Sequence, residues 1–303
     1  MSGLSEERCQ YTWPENIQKD ANPNSQSCCI RETLPDTDRC ILHTHVSETN
    51  YKKNQNLQNF ITTSEEYIES IDNKLIIDGA CLLGIDIGDN FLSNASLRDA
   101  DMRNTDLVGE DLSGANLAGA DFTDADLMRA DLREAELANA TLSHAALFHA
   151  KLNHANLNHA TITDALLEGA DLTDSTLREA DLSDSIIDVA DLSGSHLYEA
   201  NLSRVELNGT TLTGVNLMKA KLDGAEAEDA DFSESKLIET DLSESIISKS
   251  KFTSANLKDA NLSFSEAEKA DFSDANLRET KLISADCEGA VFERALLIRA
   301  LLE

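Results

Sequence analysis

Residues 109–132 read GEDLSGANLAGADFTDADLMRADL, and here a large apolar residue returns at every fifth position, from Leu112 to Leu132. An amphipathic helix repeats near 3.6 residues and a half-buried strand repeats at two, so neither element explains a strict period of five. The same frame continues without an insertion from Leu82 to Leu302, where every residue whose number ends in 2 or 7 is apolar. The stretch therefore predicts one repeated structural unit over most of the chain.

A second register of small residues lies two positions before each large one. Alanine fills most positions whose numbers end in 0 or 5, and Asp or Asn very often stands between the two registers, as at Asp121 and Asn156. This order of residues predicts a very short strand with two inward side chains, and the remaining two polar residues suit a tight turn. Because so short a strand cannot pair or bury itself, we expect successive coils to pair in parallel, as in a solenoid.

Four phenylalanines set the number of faces in one coil. Phe232, Phe252, Phe272 and Phe292 are spaced by twenty residues, which predicts that four pentapeptides complete a coil and that these rings stack on one inner face. The neighbouring face carries smaller side chains at the same spacing, as at Ala267. The sequence thus predicts an all-β solenoid of about 11 coils, roughly 50 Å long at the usual ~4.8 Å between strands.

The repeated motif itself resembles that of a known family. The pattern A-(D/N)-L-x-x, as in ADLREA at residues 130–135 and ANLNHA at residues 155–160, is similar to the repeat of the pentapeptide-repeat family. The resemblance covers about residues 76–303 and implies a right-handed, four-sided parallel β-helix. It implies little about function, because one fold can carry many unrelated functions.

The first 75 residues differ from the repeats in composition. They contain all three prolines, the only tryptophan, and the cysteines Cys9, Cys28, Cys29 and Cys40, with His43 close behind. Zinc needs four sulfur or nitrogen donors, and the spacing of Cys40 and His43 lets one turn supply two of them. With Cys9 and either Cys28 or Cys29, they predict a structural zinc site in a small module over residues 1–45. The alternative is a set of reduced thiols packed in a small subdomain. This module resembles the N-terminal extensions of some acidic, halophile-type members of the same family.

Residues 46–75 are predicted to form a polar linker followed by a short helix. The stretch TTSEEYIESI at residues 62–71 offers Ser64 as an N-cap and apolar side chains at Tyr67, Ile68 and Ile71. We expect this helix to cover the first coil, because an open solenoid end exposes its core and unpaired backbone groups. The β-helix then occupies residues 76–303.

Charge is the main sequence clue to partners. The chain has 56 acidic and 25 basic residues and a formal net charge of −31, which argues against direct binding of nucleic-acid phosphates. No apolar run approaches the length of a membrane span and no signal peptide is recognised, so a cytoplasmic protein is expected. The repeats contain no phosphate loop, nucleophile elbow or insertion loop, so catalysis is not expected. The sequence favours a non-enzymatic scaffold that presents long acidic faces to a protein partner.

DNA mimicry is the alternative function. An acidic rod of DNA-like width resembles the gyrase-inhibiting members of the family, which implies an inhibitor or regulator of a DNA-binding enzyme such as a type II topoisomerase. Mimicry requires carboxylates in two ordered rows, whereas scattered acids favour solubility and a scaffold. A belt of four histidines, His144, His149, His154 and His159, is predicted to lie on successive faces, where it cannot converge on one ion.

The last repeats, residues 290–303, keep the five-residue period but differ in their outward residues. Val291, Leu296 and Leu301 occupy the outward slot that usually holds Asp or Asn, which indicates a covered surface. We expect this end to stack on a second copy of the chain, an arrangement that resembles the C-terminal dimers of the gyrase-inhibiting relatives. The alternative is a helix that leaves the coil and caps the end, since Ala, Leu, Glu and Arg favour helix.

Overall fold

The computed structural model describes Leu82 and residues 92–302. The predicted module over residues 1–45, the linker and helix over residues 46–75, and the first predicted repeats apart from Leu82 lie outside the described residues. Within the described part the chain forms no helix, so none is present there that could cross a membrane. It also forms no strand longer than one bridged residue, although the sequence predicted strands of three. The reason is that each turn is closed by a hydrogen bond from the small residue to the large residue three positions earlier, as from Ala120 N to Leu117 O, so the turn spans four of every five residues and leaves only the bridged one.

Twenty residues make one coil. Every fifth residue from Ser96 to Lys281 forms a parallel bridge with the residue twenty positions later, from Ser96 with Asn116 to Lys281 with Leu301. This pairing confirms the predicted four-sided solenoid and its period. The described residues make about ten coils, which correspond to roughly 50 Å of rod at the usual spacing between paired strands.

We number the four faces by their bridged residues, which follow one another in steps of twenty. Each face contributes one bridged residue to every coil, and faces 2 and 4 lie opposite each other because the chain visits the faces in order. Face 1 runs from Asp101 to Leu301, face 2 from Asp106 to Asp286, face 3 from Asp111 to Val291, and face 4 from Ser96 to Leu296.

The backbone hydrogen bonds of each pentapeptide are shared with the coils on both sides. Asn116 N donates to Ala95 O of the preceding coil at 2.8 Å, and Leu117 N donates to Glu136 O of the next coil at 2.7 Å. The turn is closed by a 3.0 Å bond from Ala120 N to Leu117 O. Coil stacking therefore satisfies polar groups that a single pentapeptide leaves unpaired.

An aspartate in the bridged slot completes the turn that follows it. Asp111 Oδ1 accepts hydrogen bonds from Ser113 N at 3.0 Å and from Ser113 Oγ at 2.6 Å, and Asp171 accepts the same pair of bonds from Thr173. A side-chain oxygen thus serves an amide in the turn, as Asp and Asn commonly do. This role explains why Asp or Asn so often precedes the large apolar residue.

Counted from the bridged residue, the fourth residue of the described pentapeptides adopts a left-handed backbone conformation. The φ angle is 58° at Asp124, 58° at His144 and 72° at Gly119. Gly, Asn, Asp and His occupy this region more readily than other residues, which favours them in the turn. At Gly119 a Cβ would also lie 2.3 Å from Asp99 Oδ1 of the preceding coil, so glycine leaves room for that side chain.

The two inward registers form one continuous core. Leu117, Leu137, Leu157 and Leu177 are predicted to stack along one inner face, and each is at most 1% exposed. The predicted stack of four phenylalanines is confirmed from Phe232 onward, with ring centroids 4.9, 4.9 and 5.1 Å apart and interplanar angles of 10° or less. The rings repeat at nearly the spacing of the coils, so each coil adds one ring to the stack.

The predicted alternative of a C-terminal capping helix is wrong for residues 290–302. Val291, Leu296 and Leu301 form parallel bridges with the preceding coil, and their amides donate to backbone carbonyls there at 2.9 Å. The segment stays in the coil because it continues both inward registers and the preceding coil offers partners for its backbone. Helix propensity is a weak preference beside these tertiary contacts.

Candidate functional site

The acidic residues are unevenly distributed over the four faces. Face 4 is mainly Asn, Thr and Ser, and Glu136 is the only carboxylate among its bridged residues in the described part. The opposite side, face 2, is acidic in two outward columns. Its bridged column contains Asp106, Asp126, Glu206, Glu226, Glu266 and Asp286, and the column two residues further on contains Glu168, Asp188, Glu228, Glu268 and Glu288.

No bridged column is an unbroken row of carboxylates over residues 92–302. Lys221 and Lys281 interrupt face 1, and Lys151 and Lys251 interrupt face 3. Lys251 Nζ lies 3.3 Å from Asp231 Oδ2 of the preceding coil, so part of the acidity of face 3 is locally neutralised. Face 2 is also interrupted, but by apolar residues.

We call the apolar interruption of face 2 the apolar patch and define it as Ala146, Phe148, Leu166, Ile186 and Val189. Ala146 bridges Leu166, which bridges Ile186, so three apolar side chains follow one another on consecutive coils. Phe148 and Val189 lie in the turns that follow this column. Leu166, Ile186 and Phe148 are half-buried, and Val189 is 61% exposed. The patch is therefore a cluster of outward apolar side chains on a face whose two outward columns are mainly acidic.

Val189 has a left-handed backbone conformation, with a φ angle of 53°. A β-branched residue rarely adopts this region because its Cβ substituents crowd the backbone. Gly209 follows Val189 in the same column, where an added Cβ would meet Val189 Cγ1 at 3.4 Å. The chain thus keeps an exposed apolar side chain at a position that favours Gly, Asn or Asp.

Carboxylates form most of the border of the apolar patch, which also includes Arg129 and His149 in the turns next to Phe148. Asp126 and Glu206 lie before and after it in the bridged column, and Glu168 and Asp188 lie beside it in the next column. Burial raises the pKa of Glu206, and the neighbouring carboxylates of Asp188 and Glu226 raise that pKa further. The like charges around the patch repel one another, so a cationic group bound there would be stabilised.

The apolar patch was not predicted from the sequence, because the five-residue pattern distinguishes inward from outward residues but does not show which outward residues lie on one face. Ala146, Leu166 and Ile186 are twenty residues apart, so writing the sequence in rows of twenty aligns them in one column. The signal was available once the coil length was known.

The four histidines lie at the left-handed turn position on successive faces. Their φ angles run from 55° to 60°, a conformation in which histidine is enriched. His159 Nδ1 lies 3.6 Å from Glu179 Oε2 of the next coil. Over the described residues no group of three or more His, Cys, Asp and Glu side chains could hold a metal ion. The belt is therefore explained by the turn geometry.

The predicted zinc ligands Cys9, Cys28, Cys29, Cys40 and His43 lie outside the described residues. Cys287 occupies an inward position at the C-terminal end of the rod and is half-buried. Burial raises the pKa of its thiol, and the nearby carboxylate of Asp286 adds to that effect. A raised thiol pKa disfavours the thiolate that nucleophiles and metal ligands require.

The C-terminal coil carries the largest concentration of exposed apolar side chains. Val291, Leu296 and Leu301, which were predicted to face outward, are 45%, 42% and 51% exposed. Leu297 and Leu302 belong to the inward register but are also exposed, since no further coil is described beyond them. The predicted dimer contact is thus an accessible apolar surface.

Comparison with known proteins establishes the family. The family model of pentapeptide repeats matches the chain over residues 95–133, 111–153, 125–164, 150–188, 189–224, 228–263 and 270–303. The chain therefore belongs to the pentapeptide-repeat family, whose members fold as right-handed β-helices. No curated protein sequence matches it.

Solved structures of other pentapeptide-repeat proteins are similar to the described fold. HetL from the cyanobacterium Nostoc sp. strain PCC 7120, a protein involved in heterocyst differentiation regulation, is 28% identical with a TM-score of 0.57. That match covers 71% of this chain and 93% of HetL. Full-length QnrB1, a plasmid-mediated fluoroquinolone resistance protein, is 17% identical with a TM-score of 0.23 over 72% of this chain and 92% of QnrB1. Rfr23 from the cyanobacterium Cyanothece 51142 is 22% identical with a TM-score of 0.24 over 45% of this chain and 90% of Rfr23.

Proposed function

We propose that this chain is a non-enzymatic scaffold whose acidic rod binds a protein partner. The observation that carries the proposal is the unequal charge of opposite faces, since face 2 is rich in carboxylates and face 4 is nearly neutral. A surface with a charged side and a neutral side orients a partner, because complementary potential steers association and fixes register. Acidity that served solubility alone would not require this asymmetry.

DNA mimicry receives less support from the same surface. A duplex presents regular rows of phosphates, and a mimic would need similarly continuous rows of carboxylates. Lysines interrupt faces 1 and 3, and the apolar patch interrupts face 2. These interruptions favour a partner that binds the mixed acidic and apolar surface of face 2. They are less suited to a partner that binds a regular row of negative charges.

We expect neutralising face 2 to weaken partner capture. The full chain would be used to capture proteins from a lysate of its host, beside a variant with Glu206→Gln and Glu226→Gln. The matched control is Glu239→Gln with Glu279→Gln, which removes the same charge from a turn column next to face 4. A partner lost with the face 2 variant and retained with the control supports the proposal, because only the position of the charge differs.

Two results would count against the scaffold. Failure of the full chain to retain any protein above a bead control would contradict it. Release of the captured protein by added duplex DNA would instead favour mimicry, since partner and DNA would then compete for one site.

A structural zinc ion in the N-terminal module is a second component of the proposal. We expect elemental analysis of the purified chain to find about one zinc per chain, and Cys40→Ser to remove it, because each thiolate ligand contributes strongly to affinity. Cys287→Ser is the matched control, since this thiol lies in the rod. Separate replacement of Cys28 and Cys29 identifies which one is a ligand. Metal-free protein after purification in the presence of zinc would leave the reduced-thiol alternative.

We also propose that the C-terminal coil binds a second copy of the chain. Its apolar ring of Val291, Leu296 and Leu301 is exposed, and a two-fold contact would bury the same surface on both copies. An end-to-end contact would shield the apolar ring from water.

A further inference from the structure

We propose that the apolar patch of face 2 binds a basic amphipathic α-helix of a partner protein, with the helix axis along the rod. This inference rests on the proposed scaffold function and names the chemistry of the partner. Three features of the patch carry it: its dimensions along the rod, its border of carboxylates, and the exposed apolar side chain of Val189.

The spacing of the apolar side chains fits successive turns of a helix. Ala146, Leu166 and Ile186 lie on consecutive coils, which repeat at ~4.8 Å along the rod. An α-helix advances 5.4 Å per turn and presents one face through residues three and four apart. Over two intervals the two spacings differ by roughly 1 Å, which side-chain rotation can absorb. A helix lying along the rod therefore places one apolar side chain against each coil.

The end of the patch at Ala146 offers space beside the ring of Phe148. Ala146 is the smallest of the three residues in the bridged column, and Phe148 lies two residues after it on the same coil. A large apolar side chain of the helix would pack over Ala146 and against the ring of Phe148. Aromatic residues with apolar neighbours are the common anchors of protein interfaces.

The acidic residues around the patch indicate that the partner's helix carries positive charge. Asp126 and Glu206 lie beyond the two ends of the patch, and Glu168 and Asp188 lie along one side. Lysine or arginine residues at the flanks of the apolar helix face would meet these carboxylates. An apolar centre with a charged rim is the usual arrangement of a protein interface. Burial raises the pKa of Glu206 and the carboxylates of Asp188 and Glu226 raise it further, so a cation bound beside this carboxylate would be stabilised.

Val189 supports a binding role for the surface. Its left-handed φ angle of 53° is disfavoured for a β-branched side chain, and its column neighbours Gly169 and Gly209 show that glycine fits this position. The side chain is 61% exposed and adds to the apolar surface next to Ile186.

The same features argue against other occupants. The carboxylates around the patch would repel the phosphates of a nucleic acid. A second copy of the chain placed face to face would bring two acidic faces together, which is unfavourable for the same reason. A helix with basic flanks meets both the apolar centre and the acidic border.

Peptide binding tests the inference directly. The probe is a fluorescein-labelled peptide of about 18 residues that forms an amphipathic helix, with leucines on one face and lysines on its flanks. Binding to the full chain is measured by fluorescence anisotropy. We expect Leu166→Glu with Ile186→Glu to weaken binding by at least roughly tenfold, as loss of central interface anchors commonly does.

A second variant and a matched control separate the patch from general charge effects. Leu166→Thr with Ile186→Thr removes apolar surface without adding charge and places β-branched residues, which suit a strand, in the bridged slots, so it should also weaken binding if the patch is the site. Ile246→Glu is the control, because Ile246 is an outward apolar residue of the same column at a distance from the patch. Circular dichroism and thermal unfolding establish that each variant keeps the fold.

Several outcomes would overturn the inference. They are absence of peptide binding to the parent chain, equal weakening by Ile246→Glu, and equal binding of a scrambled peptide of the same composition. The last two would show general attraction to an acidic surface. If the threonine variant still captures the host partner in full, the patch is not its binding site, whereas the scaffold function stands. If the parent chain captures no host protein, the scaffold function fails whatever the peptide does.

Discussion

Replacement of Leu157 by aspartate is expected to destabilise the rod by on the order of 4 kcal/mol or more, enough to remove much of the stability of a typical domain. Leu157 is 1% exposed and lies between Leu137 and Leu177 in the stacked inner register. A carboxylate there would be buried among leucines, where water cannot solvate it and no base is available. The measurement is thermal and denaturant unfolding followed by circular dichroism.

Asn158→Asp is the matched control for this prediction. It adds the same charge one residue away, and a carboxylate oxygen can still accept the 2.8 Å bond that Arg178 N makes to Asn158 Oδ1. Leu157→Ala should fall between the two, with a loss of about 2–5 kcal/mol from cavity formation. An aspartate variant with the unfolding midpoint of the parent chain would refute the inward position of Leu157.

Disruption of the C-terminal apolar ring is expected to convert a dimer into a monomer. Leu296→Glu with Leu301→Glu places two carboxylates on each copy within the proposed contact. Four like charges would then face one another in a poorly solvated interface. Light scattering coupled to size-exclusion chromatography at micromolar concentration should show the molar mass fall by half.

Val108→Glu tests whether the effect belongs to this end of the rod. Val108 is also an exposed apolar residue, but it lies near the opposite end of the described coils. We expect this control to leave the molar mass of the parent chain unchanged. A parent chain that is already monomeric under these conditions would exclude the dimer and leave the exposed ring to another partner.

The repeating part of the fold was readable from the sequence because its constraints are periodic. An inward Leu or Phe every five residues fixes which side chains form the core, and phenylalanines twenty residues apart fix the coil. Both predictions agree with the parallel bridges and the stacked rings. Each strand is only one bridged residue long because the turn takes up the other residues of the pentapeptide. The hydrophobic pattern does not indicate the length of the turn.

The outward surface was less predictable than the core. Its residues are not constrained by packing, so Asp, Lys and Leu all occupy the same bridged slot, as at Asp126, Lys151 and Leu166. Whether such residues form a surface cluster depends on neighbours twenty residues away in the sequence, which the local sequence does not show. The histidine belt is a related case, because only the left-handed backbone at His144 explains its residue type.

The twenty-residue coil makes the angular position of an outward residue depend on its number alone. Removal of one whole pentapeptide would preserve both inward registers, yet it would turn every later column by a quarter of a revolution. Carboxylates of face 2 beyond the deletion, such as Glu206, would then continue the line of face 1. Only a change of four pentapeptides restores the alignment. Such a rod can therefore gain or lose twenty residues while each outward column stays aligned. An insertion or deletion of one, two or three pentapeptides rotates the coils after it relative to the coils before it.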